Sequence, residues 1–125
     1  MTTTFTPLEK GFTWTPSSTG GGAALPAGEA PSGFTIGIRL DGDTTHAAGN
    51  YAYTVIVPAG QTTETPAQIT AALTKALTPG NYWAALSQTD TLNGASATSA
   101  WTAEVPFAIP PVIVTPDQPT GFTAA

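Results

Sequence analysis

A seven-residue segment, Phe34 to Leu40, alternates strictly between large apolar residues and smaller or polar ones. Successive side chains of a β-strand point to opposite faces of its sheet. This period therefore places four large apolar side chains on one face, at Phe34, Ile36, Ile38 and Leu40. The opposite face carries Thr35, Gly37 and Arg39. The segment predicts a sheet strand that buries one face against a core.

Other parts of the chain carry similar signals between turn-forming residues. Strands are predicted at residues 11–15, 51–57, 82–88 and 101–109. Asn93-Gly94 predicts a hairpin turn, and Pro106 predicts that the last strand lies at a sheet edge or contains a bulge. Only 9% of the residues are charged, which suits Thr-covered sheets better than helices. Together these features indicate an all-β fold, an antiparallel two-sheet sandwich of about seven strands.

Two stretches are less regular. Residues 67–76 have helical propensity and apolar residues at helical spacing, but the segments on both sides resemble strands of one sandwich. We therefore interpret Ile69–Leu73 as a strand, with a helix as the alternative. Residues 16–32 contain three prolines and the run Gly20-Gly21-Gly22, which predicts a long, mobile loop.

The chain divides into three predicted parts. Residues 1–10 form an N-terminal arm with a poorly marked first strand, residues 11–109 form the folded domain, and residues 110–125 form an extended, proline-rich tail. The apolar run of the tail is Val112–Val114. Extended arms can add strand-like contacts to a neighbouring subunit, so a homo-oligomer formed through the arms is one expectation.

The segment from Leu77 to Tyr82 resembles the corner before the sixth strand of fibronectin type III domains. In it Leu77 fills the core, Pro79-Gly80 turns the chain, and Tyr82 enters the other sheet with its hydroxyl tied to nearby backbone. Trp14 before Pro16 is similar to the core Trp of the family's second strand. The resemblance covers about residues 11–109 and implies a fibronectin type III-like or Ig-like domain.

The sequence also departs from that family. The loop over residues 16–32 is longer than usual, and the first strand is poorly marked. The family's Arg-Gly-Asp adhesion tripeptide does not occur in the sequence, where Arg39 is followed by Leu40 and Asp41. Integrin-type binding therefore has no support.

Charge and composition exclude several classes of partner. The net charge is −5 with three basic residues, which argues against nucleic acid and against a polybasic membrane anchor. The sequence has no cysteine, so disulfides and thiolate metal sites are excluded. No apolar run approaches the ~18 residues of a membrane span, and the first residues do not resemble a secretory signal. Synthesis and folding in a cytoplasm are expected.

Candidate catalytic and metal-binding residues are few. His46 is the sole histidine of the sequence, and no Gly-x-Ser-x-Gly motif presents a nucleophile. Asp41-Gly42-Asp43 is a weak calcium candidate, because no Glu follows at the spacing that would complete a binding loop. A simple turn is the competing interpretation. We expect no enzymatic activity, no metal and no cofactor.

The corner also fixes the phase of its strand. With Tyr82 facing the core, Trp83 points outward, and Arg39 points outward from the strand expected beside it. A cation–π contact between them is predicted, worth about 0.5–1 kcal/mol if exposed. The candidate binding face consists of Arg39, Tyr51, Tyr53, Trp83 and Trp101. Two interpretations stay open: these side chains bind a sugar or a protein, or they merely shield one another.

The function expected from these features is that of a structural or interaction protein. A domain type that usually works outside cells, in a chain without a recognisable export signal, fits a bacteriophage virion component such as a capsid decoration or tail-associated protein. Its partners would be other virion proteins. The alternative is a carbohydrate-binding or adhesive module that contacts a host-surface glycan.

Overall fold

The computed structural model describes residues 2–111 and 115–124, and the predicted apolar run Val112–Val114 lies outside these residues. It is mostly β-structure. The elements are β1 (Phe12–Thr13), β2 (Thr19–Gly20), β3 (Ala23–Ala24), β4 (Ala30–Leu40), β5 (Tyr53–Pro58), β6 (Thr63–Glu64), α1 (Pro66–Leu73), β7 (Gly80–Leu92), β8 (Ala95–Thr98) and β9 (Val105–Ile109).

The main sheet is antiparallel and is centred on two long strands. β4 pairs with β5 on one side and with β7 on the other. The far edge of β7 is shared by two shorter strands, with β9 along its first part and β8 along its second. The hairpin predicted at Asn93-Gly94 joins β7 to β8, and both residues have positive φ there, 51° and 82°. The edge position predicted for Pro106 is also confirmed, because β9 pairs with β7 alone among the named strands.

The predicted alternation of β4 is confirmed and forms the core. Opposite β4, the register places Leu86, Ala84 and Tyr82 against Ile36, Ile38 and Leu40. The buried core residues from these strands and their neighbours are Phe34, Ile36, Ile38, Val55, Val57, Ile69, Leu77, Tyr82, Ala84 and Phe107. Phe107 stacks on Tyr82 with ring centroids 5.4 Å apart. We call this side of the main sheet the inner face, and the side that carries Arg39 and Trp83 the outer face.

Short elements cover the inner face. β1 and β6 form a two-stranded ribbon with Phe12 opposite Glu64. Phe12 meets Phe107 edge-on at 5.3 Å, and Trp14, just after β1, lies 5.4 Å from Phe34. α1 contributes Ile69 to the same core.

The interpretation of Ile69–Leu73 as a strand is wrong, because these residues belong to α1. A capping box starts this helix: the Thr65 hydroxyl accepts from Gln68 N, and the Gln68 side chain accepts from Thr65 N. Pro66 occupies the first turn, where its missing N–H costs nothing. Thr74 ends the helix in the left-handed conformation, with φ 60°.

Two predicted boundaries also differ from the structure. The long loop over residues 16–32 contains the β2–β3 hairpin, and β4 begins within it at Ala30. The predicted strand over residues 101–109 begins only at Val105. Before it, hydroxyl groups replace strand carbonyls: Thr102 Oγ1 accepts from Leu86 N, and Ser99 Oγ accepts from Gln88 N.

The N-terminal arm covers the free edge of β9. Leu8 N donates to Ala108 O, Ala108 N donates to Thr6 O, and Pro7 forms a parallel bridge with Ala108. At the opposite edge of the sheet, β5 pairs only with β4 among the named strands. Residues 115–124 of the tail are exposed and contain no helix or strand.

The carboxyl group of Glu64 is a buried acid in this fold. The residue is 4% exposed, and the side chain accepts a hydrogen bond from Gln61 Nε2. Burial penalises the charged carboxylate and raises the pKa of Glu64, while the hydrogen bond from Gln61 opposes this effect. The folded state therefore binds the proton more tightly than the unfolded chain does.

We predict that Glu64→Gln removes a pH-dependent loss of stability. In the native protein, the contribution of Glu64 is complete below the unfolded-state pKa, about 4.3, and is lost as the pH rises through the raised folded-state pKa. Urea unfolding at pH 4, 5.5 and 7 should show that the free energy of unfolding of the variant increases relative to that of the native protein as the pH rises. Glu9→Gln, at an exposed position, is the control. An equal effect of both variants would contradict the prediction.

Candidate functional site

The Tyr82 corner positions the outer face. The Tyr82 side chain is 1% exposed, and its hydroxyl donates to Thr78 O at 2.6 Å. This bond ties the start of β7 to the preceding turn, as expected of the Leu77–Tyr82 segment. Leu77 is buried in the core, Pro79 lies in the exposed turn, and Gly80 begins β7. Since Tyr82 faces inward, Trp83 must face outward.

Arg39 and Trp83 are direct cross-strand neighbours on this face. The Arg39 guanidinium carbon lies 5.7 Å from the Trp83 ring centroid, so the predicted cation–π contact is confirmed. The indole Nε1 of Trp83 donates to Asp41 Oδ1 at 2.9 Å. Phe5 of the N-terminal arm meets the Trp83 ring edge-on at 5.4 Å. Trp83 is thus half-buried by side chains of its own chain.

A bidentate ion pair links this arginine to the segment before β9. Arg39 Nε and Nη2 donate to the two carboxylate oxygens of Glu104 at 2.8 and 2.7 Å. The two side chains are 17% and 14% exposed, so solvent screens the pair only partly. The hydrogen bonds to Glu104 raise the pKa of Arg39, and the same bonds lower the pKa of Glu104. Both groups are charged, and the guanidinium is held in one orientation over the indole.

Tyr51 and Trp101 extend this face over the middle of the sheet. The Tyr51 ring lies on the backbone of Gly37, and it meets Trp101 at 4.9 Å with an interplanar angle of 69°. Burial raises the pKa of Tyr51. Its hydroxyl lies near the Glu104 carboxylate but makes no hydrogen bond of ordinary geometry with the described residues. We call Phe5, Arg39, Tyr51, Trp83, Trp101 and Glu104 the outer cluster.

Tyr53 does not belong to the candidate face predicted for it. Its partner across the sheet is Ile38, whose side chain is in the core, so Tyr53 lies on the inner face. There it packs against the core, with Lys75 Nζ 5.5 Å from its ring centroid. The prediction grouped Tyr51 with Tyr53 on one face of the sheet. Residues two positions apart share a face only when both belong to the same strand. Tyr51 precedes β5, and its orientation is set by the loop.

Sequence reasoning missed two members of the outer cluster. Glu104 is 65 positions from Arg39 in the sequence, and Phe5 lies in the arm, where no periodicity predicts an orientation. The glycine at position 37 was a usable signal. An outward-facing glycine in the middle of a strand indicates close approach by another group, and the Tyr51 ring is that group.

The loop between β4 and β5 uses its acidic residues internally. Asp43 accepts hydrogen bonds from Thr45 N, Thr45 Oγ1, His46 N and His46 Nδ1. The bonds from Thr45 N, from Thr45 Oγ1 and from the His46 ring, in that order, lower the pKa of Asp43 to about 2. Asp41 is engaged by Trp83. The turn predicted at Asp41-Gly42-Asp43 is present, because Asp43 N donates to Leu40 O at 3.1 Å.

The outer cluster is better suited to holding the fold than to binding a sugar. A sugar platform needs an open, flat aromatic surface, whereas these rings meet their neighbours edge-on, at 69° and 78°. Two of the N–H donors of Arg39 are already engaged by Glu104, and they hold the guanidinium in place. The cluster also joins the arm, the β4–β5 loop and the segment before β9 to the sheet. This arrangement favours the shielding interpretation of the face.

Comparisons with known proteins give no assignment for the outer cluster. Neither family models nor curated proteins nor solved structures gave a match to this chain. Within the described part of the chain, no helix has the length and apolarity needed to cross a membrane.

We predict that Gly37→Ala destabilises the protein by displacing Tyr51. A Cβ at position 37 would lie 2.8 Å from Tyr51 Cε2 and closer to the base of the ring. Such overpacking costs about 1–3 kcal/mol. Urea unfolding monitored by tryptophan fluorescence should show this loss. Gly60→Ala, where an added Cβ meets nothing within 4 Å, is the matched control, and equal unfolding midpoints for the two variants would contradict the placement of Tyr51.

Proposed function

We propose that this chain is a non-enzymatic assembly module built on a fibronectin type III-like β-sandwich of about seven strands. Three features support the fold. β4 and β7 are the central pair, flanked by β5 on one side and by β8 and β9 on the other. The β1–β6 ribbon packs on the inner face through Phe12. The corner hydroxyl of Tyr82 bonds to backbone four residues earlier.

The observation that carries the assembly role is the contrast between the folded body, whose polar groups are largely paired with one another, and the tail, whose described residues are exposed. In the folded body, charged side chains are engaged by other groups of the same chain: Arg39 pairs with Glu104, and Asp43 accepts hydrogen bonds within its own loop. The N-terminal arm covers the free edge of β9. In contrast, residues 115–124 are exposed throughout, and Phe122 is 98% exposed. An extended segment with an exposed aromatic side chain is a contact element rather than part of a catalytic cleft.

We propose that the chain is a component of a bacteriophage virion. Decoration of the capsid is the first candidate role, and a tail-associated role is the second. A small domain with a low-charge, Thr-rich surface and an extended arm can attach in many copies to a regular lattice. This step rests on analogy with the uses of Ig-like domains. The partner in this setting is another virion protein.

The proposal predicts that the chain sediments with intact particles. Particles from a lysate that contains the protein are purified on a density gradient, and the chain is quantified by mass spectrometry before and after a high-salt wash. A fixed ratio to the major particle protein, retained after the wash, is expected. Recovery only in the soluble fraction would contradict it. A chain that lacks residues 115–124 is the matched variant, and we expect its retention to fall at least about tenfold, as for loss of a binding anchor.

A further inference from the structure

An apolar cleft opens beside β1, at the point where the edge of β7 passes from β9 to β8. It has a volume of about 170 Å³ and is lined mainly by Phe12, Trp14, Ile36, Ala84, Leu86 and Val105. A cavity of about 150 Å³ is large enough to hold a benzene ring. The cleft therefore matches one aromatic side chain in size and in chemistry.

One feature of the walls indicates an unfilled contact. Val105 is 48% exposed at the cleft, although it is a large apolar side chain. An occupant that supplied an aromatic ring would cover this side chain and remove apolar surface from water.

The tail contains such a segment. Pro116 and Pro119 favour an extended, polyproline-like backbone whose carbonyls are free to accept hydrogen bonds. Phe122 follows and is 98% exposed. Grooves lined by aromatic side chains bind extended proline-rich segments well, because little conformational entropy is lost. The cleft and the tail thus supply complementary halves of one contact.

We propose that Phe122 of one copy of this chain inserts into the cleft of a second copy. The inference rests on the proposed assembly role, and it adds a contact between copies of the chain to the proposed contact with another virion protein. The tail leaves β9 after Ile109, whereas the cleft lies at the opposite end of that strand, beside Val105. Residues 115–124 are all exposed, and Phe122, at 98% exposure, does not occupy the cleft of its own chain. A tail-to-cleft contact closes as a dimer when two copies exchange tails reciprocally, and otherwise it continues into a ring or a filament.

Sedimentation velocity of the 125-residue chain between about 5 µM and 1 mM tests the contact, at the weak end expected of a small interface. The average mass should rise with concentration. Phe122→Ala, which removes the anchor, and Val105→Lys, which places a charge at the cleft, should each weaken association at least about tenfold. Ile56→Lys is the matched control, because Ile56 is a 72% exposed apolar residue on the outer side of β5. Its association should equal that of the native chain.

A mixing experiment identifies the two halves of the contact. The Phe122→Ala chain keeps an intact cleft, and the Val105→Lys chain keeps an intact tail, so an equimolar mixture should form a 1:1 complex. A native chain that stays monomeric at 1 mM, or variants that fail to complement while circular dichroism shows both folded, would overturn the proposal. Loss of association only in Ile56→Lys would assign the contact to the β5 edge and would also overturn it. None of these results depends on particles, so sedimentation with virions can succeed or fail separately.

Discussion

The pairing of β4 with β7 is the interaction on which the rest of the structure depends. Each strand carries apolar side chains at alternate positions, and their register places Ile36 opposite Leu86 and Ile38 opposite Ala84. A slip of one residue would turn every side chain of one strand to the other face. The Tyr82 hydroxyl anchors the start of β7 against Thr78, which opposes such a slip. The core on one face and the outer cluster on the other both follow from this register.

The sequence predicted the features that depend on local periodicity. Two-residue alternation gave the inner row of β4, and the corner pattern placed Tyr82 inward and Trp83 outward. The contact between Arg39 and Trp83 followed from those two phases. The hairpin at Asn93-Gly94 was equally local, since glycine and asparagine tolerate the positive φ that a tight turn requires.

The features that the sequence did not predict depend on distant contacts or on capping. Glu104 pairs with Arg39 across 65 positions, and no local pattern selects that acid from the others. Tyr51 precedes its strand, so strand alternation could not orient it. For α1, eight residues of moderate propensity gave a weak signal. Thr65, Pro66 and Gln68 form its N-terminal capping pattern, and this pattern was more informative than the flanking strands.

The register also explains why the body of the protein is closed. With the phase of β7 fixed, Trp83 lies under Phe5 and Arg39, Tyr51 covers Gly37, and the acidic side chain of Glu104 completes the ion pair. These contacts connect three segments that lie outside the named strands and helix to one sheet. In the proposed function, the groups that contact partners lie elsewhere, at the cleft beside β1 and in the tail that contains Phe122.

Cross-strand nuclear Overhauser effects in the isotope-labelled protein test the β4–β7 register most directly. The account predicts backbone proton contacts between the partnered residues Ile38 and Ala84 and between Arg39 and Trp83. Contacts displaced by one residue, such as Arg39 with Tyr82 or with Ala84 in place of Trp83, would contradict the register and with it the assignment of the two faces.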